Sequence, residues 1–181
     1  MQYQINVALT EDDYLAFNHF HALESTHGKK QVLKSRIFMA AFFTILALII
    51  YFIMGWDTFS IAYITFLGVF GFFYILFFKT IVRRNITKQI NRLKKQGKLP
   101  FDAYTTMEFY DDKLVEITEK ARTERSYDTL ERICVVKDQY IFLYTSSIGA
   151  HLLPIGQLRS QTNTAEFLQF LSQKCSTVEY Y

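Results

Sequence analysis

The chain has 181 residues, half of them hydrophobic and 17% aromatic, and 20 Lys and Arg against 17 Asp and Glu leave a net charge of only +3. Residues 100–181 hold more acids than bases, which argues against a nucleic-acid partner because that half would repel phosphate. Two distant cysteines, Cys134 and Cys175, form no C-x-x-C and exclude a disulfide framework; they read as small buried hydrophobes.

In chain order, Tyr3, Ile5, Val7 and Leu9 alternate with polar or small residues, the pattern of a strand with one buried face. Thr10 then reads as an N-cap, with Glu11, Asp12 and Asp13 in the first turn where the helix dipole favours acids. Tyr14, Phe17, Phe20 and Leu23 give an apolar stripe to about His27, and Gly28 is the expected C′ residue. A strand and one helix cannot bury enough surface alone, so this segment is expected to dock on the C-terminal domain. His19 and His21 are two apart on a helix and cannot face one another, and neither has an acid or histidine at i+4. With His27 and the solitary His151 they read as exposed or packed side chains; no metal site is expected.

Ile37–Met54 and Phe59–Phe78 are two uncharged apolar stretches four residues apart. About 20 apolar residues cross roughly 30 Å of hydrocarbon, so the pair predicts a transmembrane hairpin. Lys29, Lys30, Lys34 and Arg36 precede it, and Lys79, Arg83, Arg84, Lys88, Arg92, Lys94, Lys95 and Lys98 follow without an acid among them. Under the positive-inside rule both termini are cytoplasmic, with the turn outside and Tyr51 and Trp56 at the outer interface. No cleavable signal peptide is expected. Neither span holds an ionisable residue, which argues against a channel or transporter. Small residues lie on one side of each, Ala40, Ala41, Thr44 and Ala47 in the first and Thr65, Gly68 and Gly71 in the second. They permit close helix packing, within the hairpin or against a second copy.

Beyond Phe78, Val82, Ile86, Ile90 and Leu93 continue a helical stripe to Gly97, either projecting from the membrane or lying on it. Its bases Arg83, Arg84, Lys88, Arg92, Lys94 and Lys95 serve orientation and are candidates for contact with anionic headgroups. From Pro100 short strands follow: Tyr104–Phe109, Lys113–Glu119, a polar edge at Arg122–Tyr127, Arg132–Lys137, Tyr140–Thr145 and Ala150–Leu153. Met107, Phe109, Val115, Ile117, Ile133 and Val135 are expected inward. A helix opens near Asn163–Thr164, burying Phe167, Leu168, Leu171 and Cys175. The fold class is therefore α+β: a membrane hairpin with a cytoplasmic antiparallel sheet or partial barrel capped by the C-terminal helix. Its parts are 1–36, the hairpin 37–78, a basic helix 79–99 and a β-domain 100–181.

Several patterns carry a family resemblance: Leu9-Thr-Glu-Asp-Asp-Tyr14, Thr106-Met-Glu-Phe-Tyr-Asp-Asp112, Ser126-Tyr-Asp-Thr-Leu-Glu-Arg-Ile133, Tyr140-Ile-Phe-Leu-Tyr144, Leu153-Pro-Ile155 and Glu166-Phe-Leu-Gln-Phe-Leu171. In their order around the span pair they resemble the YcxB-like family of bacterial membrane proteins. The resemblance implies an integral membrane protein with a pleckstrin-homology-like (PH-like) C-terminal domain and no established activity. Where that family usually has a base after the proline, this chain has Ile155.

Catalysis is not expected. There is no G-x-S-x-G, Gly-rich phosphate loop, H-E-x-x-H or C-x-x-C, no cofactor motif, and the acids of the β region fall mostly at turns or on solvent faces. Asp111-Asp112 reads as a turn. The leading expectation is a non-enzymatic interaction protein presenting its cytoplasmic domain to a protein or lipid partner. The alternative is an immunity protein that meets a membrane-acting toxin where it inserts.

Overall fold

The computed structural model describes every residue except Trp56, Pro100 and Ile148, so the interfacial anchor expected at Trp56 lies outside the described residues. The chain forms two compact units, Met1–Phe17 with Leu93–Tyr181, and Asn18–Arg92.

The first unit is built on two four-stranded sheets. Strands β1 (Tyr3–Ala8), β2 (Tyr104–Phe109), β3 (Lys113–Ile117) and β4 (Arg122–Ser126) lie side by side, all antiparallel. β1 precedes the long helices in sequence and β2 follows them, yet they pair from Tyr3↔Phe109 to Ala8↔Tyr104. The expected docking of the N-terminal strand is thus a shared sheet. In the second sheet β5 (Arg132–Val136) pairs antiparallel with β6 (Tyr140–Tyr144), and β6 with β7 (Ala150–Pro154).

This arrangement refines the expected single sheet or partial barrel. A short β8 (Val178–Tyr180) adds itself parallel to β5, and a one-turn helix, α4 (Ile155–Arg159), follows β7; neither was expected. The amphipathic helix α5 (Thr164–Lys174) is where the sequence put it, capped by Asn163 Oδ1 accepting from the Ala165 N–H at 3.1 Å. Its Phe167 and Leu171 enter a core shared with Ile5, Met107 and Phe109 of one sheet and Ile133, Ile141 and Leu153 of the other. Phe167 meets Phe109 edge-to-face at 4.9 Å. Each such side chain contributes about 1.5–3 kcal/mol through burial. Ile155, which stands where the resembled family carries a base, is a core residue.

In β3 the structure corrects the expected facing. Phe109 pairs with Leu114 and Met107 with Glu116, so Leu114 and Glu116 share the core face while Val115 is buried on the opposite one. At the outer edge of the first sheet, β1 has its free backbone groups covered by two side chains. The Gln157 amide accepts from the Ala8 N–H at 2.8 Å and donates to the Ala8 carbonyl at 2.7 Å. Gln161 does the same for Asn6, at 2.7 and 2.8 Å.

α1 (Glu11–His19) opens with a capping box: the Thr10 N–H and hydroxyl donate to Asp13 Oδ2, and the Asp13 N–H donates to Thr10 Oγ1. Asp13 Oδ1 also accepts from the Tyr140 hydroxyl at 2.9 Å, and Phe17 packs edge-to-face on Phe142 at 5.2 Å. These contacts hold α1 to the second sheet.

In the second unit the helix expected to end at Gly28 ends earlier. Phe20–Glu24 is a π-helical turn that brings the irregularly spaced Phe20 and Leu23 to buried positions. Ser25 then caps a new helix, α2 (Thr26–Met54), its Oγ accepting from the Gly28 N–H at 3.0 Å. Gly28 is therefore a first-turn residue. A side chain there would run into the His21 carbonyl, which is why glycine stands at this close approach.

Met54 leads through Gly55, at φ 71°, into α3 (Thr58–Lys95), opened by Asp57 and Ser60 bonding each other's backbone. α3 is one continuous helix of 38 residues, about 57 Å long, and it closes in a Schellman motif about Gly97. α2 and α3 are both long and apolar enough to cross a membrane, and almost none of their apolar windows is buried within the protein.

Candidate functional site

A core-facing strand position ordinarily carries an apolar side chain, and two positions in the first unit depart from that rule. Glu116 shares the core face of its sheet with Met107, its partner across β2–β3. His151 pairs with the core residue Leu143 across β6–β7. The two anomalies solve each other. His151 Nδ1 lies 3.1 Å from Glu116 Oε1, with the two side chains 11% and 28% exposed.

A carboxylate can only accept, so Nδ1 carries the proton, and Nε2 is an acceptor whenever the ring is neutral. Nε2 is buried and has no hydrogen-bond partner among the described residues. The bond from His151 holds the Glu116 carboxyl below its usual range, against the opposing effect of burial, with Arg125 lowering it further and Asp102 raising it.

This pair lines a cavity of about 490 Å³ that lies between β7 and the strands of the first sheet. Val7, Leu9, Phe17, Met107 and Leu152 supply apolar wall, and Tyr14 stacks obliquely on Phe101 at 5.1 Å between centroids. Thr105, Thr118 and Thr123 add hydroxyls and Asp102 a second carboxylate. The arrangement can orient a ligand through Nε2 and hold it against apolar and aromatic surface. Among the described residues no side-chain nucleophile is hydrogen-bonded to Nε2.

In the sequence His151 looks isolated and the acids of the strands mostly solvent-facing; Glu116 is the exception. The signal was in the hairpin. If Phe109 faces inward and Asp111-Asp112 form the tip, residue 114 opposes 109 and residue 116 opposes Met107, so an acid must face the core.

The other candidate residues are dispersed. Along α3, Arg84, Lys88, Arg92 and Lys95 recur at helical spacing as one exposed row without an ion pair among the described residues. Arg83 and Lys94 are instead engaged: Arg83 Nη2 lies 3.8 Å from Glu24 Oε1, and Lys94 Nζ donates to Glu11 Oε2 at 2.6 Å. Of the small residues, Ala40, Thr44 and Ala47 of α2 face Gly68 and Gly71 of α3 across an apolar groove of about 430 Å³. Gly71 is held against the Phe43 ring. Thr65 is exposed and lies outside that groove, off the Ile64, Gly68 and Gly71 row.

The histidines do not converge. His19 Nε2 lies 3.3 Å from both the Arg83 carbonyl and Thr87 Oγ1, while His21 and His27 stack at 6.3 Å. Among the described residues no group of acids, histidines and cysteines is placed to hold a metal. Cys134 and Cys175 are buried free thiols, and burial pushes the Cys134 thiol up to about 12, which makes it unreactive.

No protein-family model, curated protein or solved structure matches this chain.

Proposed function

We propose that the chain is a non-enzymatic, membrane-anchored binding protein of the bacterial inner membrane. The α2–α3 hairpin crosses the bilayer, and the two-sheet domain meets a protein or lipid partner at the cytoplasmic surface. The observation that carries this reading is the exposure of large apolar side chains along both helices, including Phe38, Ile45, Phe52, Phe59, Phe66 and Phe72. An apolar surface of that extent is stable only in lipid or against another protein. Two four-stranded sheets closed by a C-terminal helix support the PH-like, YcxB-like reading, in which this chain completes the first sheet with a strand from before the hairpin.

The exposed row Arg84, Lys88, Arg92 and Lys95 supports orientation with α3 entering the cytoplasm, and contact with anionic headgroups there. A ligand-sized cavity without an activated nucleophile favours binding over catalysis. The test is alkaline carbonate extraction of membranes from cells making the full chain, followed by crosslinking in situ. Retention in the pellet and a discrete crosslinked species are expected. Release of the chain into the supernatant would overturn the anchor.

A further inference from the structure

We propose that the cavity between β7 and the first sheet binds a small organic cation, a primary ammonium carried on a compact apolar body. The inference deepens the reading of this domain as a binding module. Three independent features select this chemistry. The first is His151 Nε2, buried and with no partner among the described residues, which in the neutral ring calls for a donor. The second is charge: Glu116 and Asp102 both line the cavity, and no lysine or arginine does so among the described residues. Lys120 reaches Asp102 at 3.4 Å and Arg125 acts on Glu116, but neither base lines the cavity, so the carboxylates are the charges its wall presents beside His151. A carboxylate or phosphate ligand would be repelled there. The third is the aromatic wall of Tyr14 and Phe101, whose ring faces attract a cation and cover an apolar body.

A neutral alcohol could satisfy Nε2, but it would gain nothing from the two carboxylates. Water alone would satisfy Nε2 and leave the apolar wall wetted. The volume, about 490 Å³, is in the range of small-molecule sites and well beyond one or two waters.

The test uses the full chain in nanodiscs of zwitterionic lipid, labelled with nitrogen-15 at histidine, with the His151 signal assigned by its loss in His151→Gln. Benzylammonium, benzyl alcohol and benzoate serve as probes. Benzylammonium is expected to move the Nε2 resonance saturably, at about tenfold lower concentration than benzyl alcohol, with no response to benzoate. Glu116→Gln and, separately, Asp102→Asn should each erase most of that preference for the cation, and Asp102→Asn, which keeps the Glu116–His151 bond, should leave the benzyl alcohol response in place. Equal responses to the three probes, no saturable response to benzylammonium, or a preference unchanged in both variants would overturn the proposal. Carbonate extraction reads the membrane anchor separately, so failure of one reading is distinguishable from failure of the other.

Discussion

Glu116 stands where the alternation of its strand calls for leucine or valine, and His151 is what allows it to stay there. Its folded-state pKa lies below its usual value of 4.5 because His151 donates to it. A depressed carboxyl contributes stability that is fully present above the unfolded value and is lost as pH falls through the folded one. The thermal midpoint should therefore drop on acidification below about pH 4.5, and Glu116→Gln should flatten that part of the profile. An identical acid limb in the variant would remove the pair from the account. Gly28 makes a second residue-scale case. Gly28→Ala would drive a methyl group into the His21 carbonyl, at an expected cost of about 1–3 kcal/mol in unfolding free energy by denaturant titration. Neither role shows in the local pattern of its own element, although the register of the Asp111-Asp112 hairpin carries that of Glu116. Gly28 looked like a helix end because glycine favours that position, and Glu116 was hidden because Leu114, Val115 and Ile117 supply apolar residues to both faces of β3.

At the scale of elements, local signals were legible and non-local ones were not. Thr10, Asn163 and Gly97 are end signals written within a few residues, and each element begins or ends where they stand. The polar run at Arg122–Ser126 is an edge strand, as its composition says. β8 is three residues long and pairs parallel with a distant strand, so nothing near it in sequence reveals it. The glutamine clamp on β1 is non-local in the same way. Replacing Gln157 and Gln161 together by Ala should strip four hydrogen bonds from the strand edge. About 1–3 kcal/mol of stability should be lost, and the bared edge should promote association, read by denaturation and size-exclusion chromatography. For α3, changing Arg84, Lys88, Arg92 and Lys95 to Gln in the full chain should weaken its preference for anionic over neutral vesicles on reconstitution by about 1 kcal/mol per base, and less at high salt. Equal binding to neutral vesicles would leave those bases with orientation alone.

For the whole molecule, the decisive fact is that one sheet is sewn from both sides of the hairpin. β1 comes before α2 and β2 after α3, and six residue pairs join them. Two strands hydrogen-bonded along their length must be on one face of a bilayer, so the chain between them has to cross an even number of times. Length and hydropathy predict two spans, and the pairing of β1 with β2 agrees with that number for an unrelated physical reason, since it excludes one or three. On the proposed reading, the bases at the outer ends of the hairpin would put that face in the cytoplasm. The most direct test is labelling of single cysteines, introduced at Gln2, Thr58 and Tyr180 in a Cys134→Ala, Cys175→Ala background, with a membrane-impermeant maleimide on intact spheroplasts. The account predicts that only the Thr58→Cys protein labels before permeabilisation and that both terminal positions label after it. Labelling of either terminal cysteine in intact spheroplasts, or protection of the one at 58 until lysis, would contradict it.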